Sequence, residues 1–265
     1  MTPLVEPDDL HPPLLQDVRS PQDRCYAALY QEMIAWLALP VGAHVLDAGC
    51  GAGGLTGILA AAVGATGHVW AVDRDAAQVA TIHAVLATTG YQDQVVVLPG
   101  DIIALPFAAD TFDLVWCSHV LHGVPDALAS ARELRRVLKP GGRLALREDF
   151  AWRPQCLPDE AAVGIPGLEY RLNAVEVQGV QQWRRAQPDH TPYPFGWTQL
   201  LLDVGCHSVT AHTFVLELLP PFSALQVAFL RERLTGIGYH EETQRYLSPR
   251  DRATIAHLTD PQHPD

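Results

Sequence analysis

Three aspartates each close an apolar run. Asp47 follows Val45-Leu46, Asp73 follows Val69-Trp70-Ala71-Val72, and Asp101 follows Val95-Val96-Val97-Leu98-Pro99-Gly100. Acids at the ends of successive buried strands suit a ligand that offers hydroxyl and amino donors. An acid about 20 residues beyond a glycine-rich bend is the ribose-binding signal of nucleotide folds. The first acid runs into Ala48-Gly49-Cys50-Gly51-Ala52-Gly53-Gly54. Glycine backbone lets a ligand approach closely there, and the helix that follows turns its first N–H groups into the bend. Dinucleotide enzymes carry similar glycines. Here, however, no lysine stands in the loop, and Asp47 would repel a pyrophosphate. The pattern fits a nucleoside without phosphates.

A second group could move a proton. Phe112–Cys117 reads as a strand that runs into Ser118-His119-Val120-Leu121-His122-Gly123, and the next strand ends on Glu148 and Asp149. An imidazole titrates near neutrality and serves as a general base. One helical turn would bring His119 and His122 together. As a metal pair they lack a visible third ligand, so no metal site is expected. The plainer role for either ring is to cap the following helix or bond the backbone. Strand alternation sends only one of Glu148 and Asp149 toward a ligand.

The elements that must hold these groups read in order. Tyr26, Leu29, Tyr30, Met33, Ile34 and Leu37 recur at helical spacing over 21–39. The glycine bend opens a helix with Leu55, Ile58 and Leu59, and Asp75 starts another with Val79, Ile82 and Leu86 inward. Asp126 opens a helix with Leu128, Ala131, Leu134 and Leu138 inward, whose charged residues read as a solvated face. Lys139-Pro140-Gly141-Gly142 stops it before a fifth strand over 143–147. Beyond 151 prolines break the chain, then 168–186 and 197–204 read as helices, 207–218 as a strand and 222–234 as a last helix.

The strings VLDAGCGAGG, AVDRD, GDIIALPFAADTFDLV and LKPGGRL, in this order over about residues 40–150, resemble the successive motifs of class I S-adenosylmethionine (SAM)-dependent methyltransferases. The resemblance is closest to the group that methylates small molecules such as quinone and sterol precursors. It implies an α/β, Rossmann-like fold: a seven-stranded, mostly parallel sheet with helices on both faces, the last two strands after 205, and a small, mainly helical substrate cap. The expected division is an arm over 1–20, a SAM-binding core over 21–150, a cap over 151–196, completion of the core over 197–240 and a tail over 241–265.

The resemblance also assigns roles. Asp47, Ala48, Gly49 and Gly51 would shape the methionine and ribose end. Asp73, with Arg74 beside it, would hold ribose; Asp101 would accept from the adenine amino group while Ile102 packs the ring. Ser118 would flank the methionine portion. Tyr26 and Tyr30 become candidate lids over the sulfonium, or simply pack their helix. His122 stands where related enzymes carry a histidine and is the first candidate base, followed by His119, Glu148, Asp149 and, on the cap helix, Tyr170. Trp152, Trp183, Tyr193, Phe195 and Trp197 would wall an acceptor cavity or weld the cap to the core.

The totals narrow the partners. The 265 residues carry a net charge of −12, are 48% hydrophobic and 18% charged, and contain five scattered cysteines with no CxxC pair. A uniformly basic nucleic-acid face is excluded by that charge, because phosphate neutralisation supplies most such affinity. The acidic, proline-rich start is no signal peptide, and no apolar run approaches the roughly 20 residues that span a bilayer. The expectation is a cytoplasmic enzyme with reduced thiols, a small-molecule methyl acceptor, and neither nucleic acid nor membrane as partner. Two other readings stay open: an enzyme that uses the bound sulfonium for rearrangement, cyclisation or decarboxylation, and a non-catalytic SAM-binding module.

Overall fold

The computed structural model describes residues 21–87, 90–148, 166–239 and 241–262. They fall into two compact units. The first holds the described residues up to Glu148 together with Thr191–Glu217; the second draws on Asp149–His190 and Leu218–Asp265.

The first unit opens with α1 (Pro21–Leu37), whose buried stripe is Tyr26, Leu29, Tyr30, Met33, Ile34 and Leu37. There follow β1 (His44–Ala48), α2 (Thr56–Val63), β2 (His68–Asp73), α3 (Ala76–Leu86), β3 (Val95–Pro99), β4 (Phe112–Ser118), α4 (Ala127–Arg136) and β5 (Leu138–Arg147). The five strands lie in the order β3-β2-β1-β4-β5, and every pairing is parallel. Val45, Leu46, Leu114 and Val115 are wholly buried, as strands covered on both faces require. The order reverses between β1 and β4, so the crevice beyond their carboxyl ends is where an open α/β sheet binds ligands.

Two local devices fix this frame. Asp126 caps α4 by accepting from Ala129 N at 2.9 Å, and Arg135 and Arg136 occupy its last turn, where the helix dipole favours cations. The charged face does more than meet water. Arg136 pairs with Glu133 at 2.7 Å and donates to the carbonyls of Phe107 and Leu105, which pins the loop before β4. β5 begins earlier than its glycines suggest: Phe112 aligns with Leu138, and a register shift before Leu114 absorbs the Lys-Pro-Gly-Gly turn. A Cβ on Gly142 would stand 3.0 Å from Asp113 O, so this close passage needs glycine.

The sheet has five strands among the described residues, not seven. Residues 207–218 keep an in-out pattern at Phe214, Leu216 and Leu218 but form no ladder. Alternation reports two unlike faces; a strand also needs a neighbouring backbone to bond. His212 and Phe214 instead set their rings against Trp36 of α1, at 5.3 and 5.9 Å between centroids. The short helix α6 (Gly196–Asp203) buries Leu200 completely in the core under the sheet.

The second unit is helical among its described residues: α5 (Leu168–Ala186), α7 (Ala224–Tyr239), α8 (Glu241–Gln244) and α9 (Pro249–Thr259). Leu168, Leu172, Val175, Leu234, Leu247 and Ile255 form its core. Arg171 binds Asp251 and Arg233 binds Glu176, each at 2.7 Å. The stretch expected as a tail thus holds a three-turn helix. Its signal was in the sequence: Ser248 caps it by accepting from Asp251 N, and Pro249 takes the first helical position.

Candidate active site

The side expected to hold the cofactor is built at the ends of β1 and β2. Gly49, at φ 79°, turns its N–H back to Val72 O at 2.8 Å, and Cys50 N donates to the same carbonyl at 3.1 Å. A Cβ on Gly49 would collide with Val120, so the glycine bend and the loop after β4 touch at this point. Gly51, at φ 52°, has open space where its Cβ would stand. Its N–H donates to Asp73 Oδ2 at 2.8 Å, while Asp75 N donates to Oδ1 at 2.9 Å. Each Asp73 oxygen keeps a second acceptor direction for a ligand hydroxyl. Arg74 beside it is exposed, and Ala48 is fully buried in β1.

Asp47 is turned inward. It is 3% exposed and accepts from Thr56 Oγ1 at 2.7 Å, tying the end of β1 to the first turn of α2. Burial, opposed by the Thr56 hydrogen bond and helped by the nearby Asp73 charge, pushes its carboxyl up to about 7. A carboxyl raised in the native state stabilises the fold fully below its ordinary 3.8, and that contribution is lost as pH climbs through 3.8 toward about 7. Asp47→Asn keeps an oxygen for Thr56 without the buried charge. Above pH 7 it should be more stable than the parent by on the order of a few kcal/mol, and urea melts should show the gap closing toward acid pH.

At the end of β3, Asp101 Oδ1 accepts from Ile103 N at 3.2 Å, and Ile102, 4% exposed, lies in the core with Val72 and Leu105. At the ends of β4 and β5, Ser118 is in register with Arg147. The Arg147 guanidinium lies over the rings of Tyr26 and Tyr30, 5.2 and 5.5 Å from their centroids. The two rings stack at 5.8 Å, and Arg147 Nη1 reaches Tyr30 Oη and Ser118 Oγ, each at 3.4 Å. The cation over this tyrosine pair in the structure is therefore Arg147. Burial pushes the Tyr30 hydroxyl up to about 12, so it stays a neutral phenol whose oxygen accepts from Arg147. Sequence reasoning missed Arg147, which reads as an ordinary strand residue until α1 is placed beside it.

The group expected to move a proton is tighter still. Glu148 has a side chain 1% exposed; its Oε1 accepts from Val120 N at 3.0 Å and Leu121 N at 2.7 Å, and its Oε2 meets His122 Nδ1 at 2.8 Å. His122 sits in a 3-10 turn (Leu121–Gly123), and His119, exposed and at φ 56°, has its ring 6.2 Å from that of His122. Tyr170 is far more open, 67% exposed on α5 of the second unit. Asp149 and Trp152 lie outside the described residues.

Residues 46–146 match a family described as the methyltransferase domain. That stretch is similar to a methyltransferase domain. It contains the glycine bend, the three aspartates and the histidine loop. Over 116 residues the chain is 40% identical to a 2-phytyl-1,4-naphtoquinone methyltransferase of Thermosynechococcus vestitus, covering 44% of this chain and 50% of that protein. Over 107 residues it is 37% identical to a demethylmenaquinone methyltransferase of Bacillus velezensis, covering 40% and 46%. The chain thus spans about half the length of the curated relatives it matches. A solved structure of a candidate sarcosine dimethylglycine methyltransferase from Galdieria sulphuraria superposes with TM-score 0.52 at 20% identity, over 88% of this chain and 80% of that one, a likeness of fold. No described helix is long and apolar enough to cross a membrane.

Proposed function

We propose that this chain is a SAM-dependent methyltransferase acting on an oxygen, carbon or nitrogen of a small, largely apolar metabolite. One observation carries the reading. Asp73, at the end of β2, is braced by Gly51 N at 2.8 Å and faces a bend left open in front of Gly51. That arrangement fits SAM: a carboxylate for the ribose diol, bare backbone for close approach, and no cationic cradle for phosphates. SAM bound there would supply a methyl group on a sulfonium, a good leaving group for in-line displacement. The quinone methyltransferases similar to this domain support an apolar, ring-bearing acceptor.

The chain's own residues do the rest. Glu148, fixed by two backbone N–H groups, accepts only, so the proton of the His122 contact lies on Nδ1 and Nε2 is the basic atom. The imidazole then takes a proton from an acceptor hydroxyl or acidic C–H, and Glu148 stabilises the imidazolium that forms. Alignment of the acceptor supplies much of the remaining acceleration, up to roughly 7–11 kcal/mol in favourable cases. Buried, free Cys50 and Cys117 support the cytoplasmic placement.

The test is stoichiometric. Incubated with SAM and a panel of hydroxyquinones and phenols, the protein should form one S-adenosylhomocysteine per methylated product, read by mass spectrometry. Acceptor turnover with SAM unconsumed would replace methyl transfer with a rearrangement assisted by the bound sulfonium.

A further inference from the structure

The fold supplies what the histidine pair lacked in sequence. One ring nitrogen of His119, one of His122 and a carboxylate oxygen of Glu148 all lie within 4.8 Å of one another. We propose that these three side chains form a binding site for a divalent transition ion of the zinc type at the acceptor side of the methyl-transfer centre. The inference rests on the methyl-transfer reading for its purpose, though not for its geometry.

Three features converge. Two imidazoles and one carboxylate are the donor set of catalytic zinc and other open transition-metal sites, which keep further positions for water or substrate. The carboxylate is pre-set. Val120 N and Leu121 N hold Oε1, which aims the rest of a side chain only 1% exposed at His122. Backbone bonds of this kind orient a ligand as outer-sphere partners do. Finally, Glu148 Oε2 and His122 Nδ1 already stand 2.8 Å apart; an ion replacing the proton between them needs the two donors to part only to about 3.3 Å, the separation that bonds of about 2.0 Å at a tetrahedral angle give.

His119 completes the set from the solvent side. Its φ of 56° is unusual for a residue with a Cβ, and its ring lies 6.2 Å from that of His122. An ion held here leaves positions for an acceptor oxygen. Coordination lowers the pKa of that hydroxyl; its O–H bond breaks, the proton leaves to solvent and the electron pair stays on the metal-bound oxygen, ready to attack the methyl group. With an ion bound His122 serves as ligand; in the metal-free chain it keeps the role of base.

The test uses Co2+ alone, added to the tag-free full chain after chelator treatment and followed by its visible d–d absorption, with calorimetry of S-adenosylhomocysteine in parallel. One Co2+ per chain is expected. His119→Ala removes an exposed ring, so the fold should persist and homocysteine-nucleoside binding should match the parent. Co2+ binding should weaken by at least about tenfold, the lower end of what even outer-sphere partners carry. His122→Ala and Glu148→Gln should do the same. Absence of saturable one-to-one uptake, or uptake that His119→Ala leaves unchanged, overturns the site. Nucleoside binding without Co2+ uptake overturns the metal site and leaves methyl transfer standing. Co2+ uptake lost in the three variants, without nucleoside binding, supports the metal site and removes the methyl-transfer reading.

Discussion

Asp73→Ala should lose about 10²–10⁴-fold in affinity for S-adenosylhomocysteine, measured by calorimetry, while its melting curve stays cooperative. The estimate follows from the number of bonds at stake. A ribose diol offers two hydroxyls, and a hydrogen bond to a charged group is worth about 1.5–3 kcal/mol. The Asp73 carboxylate also braces Gly51 N and Asp75 N, so its loss loosens the bend that the ligand must meet. The side chain is only partly buried, so the truncation opens no deep cavity. Asp73→Asn separates the two contributions: it keeps an oxygen for Gly51 N and loses the charge. Affinity unchanged in Asp73→Ala would remove the ribose assignment and with it the cofactor reading.

His122→Ala should lower turnover by about 10²–10⁴-fold, the usual weight of a positioned proton acceptor, with nucleoside affinity held within about threefold of the parent. A general base becomes protonated and idle at acid pH, which gives the pH–rate profile an acid limb. The alanine variant should lose that limb. Glu148→Gln is the milder probe, since it keeps an acceptor oxygen for Val120 N and Leu121 N while weakening the hold on the imidazole. A rate unaffected by His122→Ala would take this residue out of the mechanism and leave alignment as the sole contribution.

The half expected to hold the cofactor could be sketched from sequence because each part is local. Each acid closes or closely follows a strand, with glycines and a helix start after Asp47 and a helix start after Asp73; parallel pairing then brings the three acids to one edge. The proton-handling half was readable only in its membership. His122 and Glu148 are 26 positions apart, and alternation could say that one of Glu148 and Asp149 turns inward without saying which. What decides is the backbone of the loop itself, whose two N–H groups demand a carboxylate partner. Arg147 was invisible for a related reason: its partners come from α1, 117 positions earlier in the case of Tyr30. Asp47 shows the converse. The sequence placed it correctly at the end of β1, but only the structure shows its carboxyl turned to Thr56 beneath the bend.

The contact of Val120 with the Gly49 bend carries a lesson for engineering. Val120 gives its N–H to Glu148 and its side chain to the space above Gly49, so one residue links the glycine bend to the histidine loop. Grafting this histidine loop onto another scaffold would therefore demand a glycine at the matching bend. Within this chain, shifts in substrate preference have the least resistance where walls can be recut without disturbing that shared hinge point.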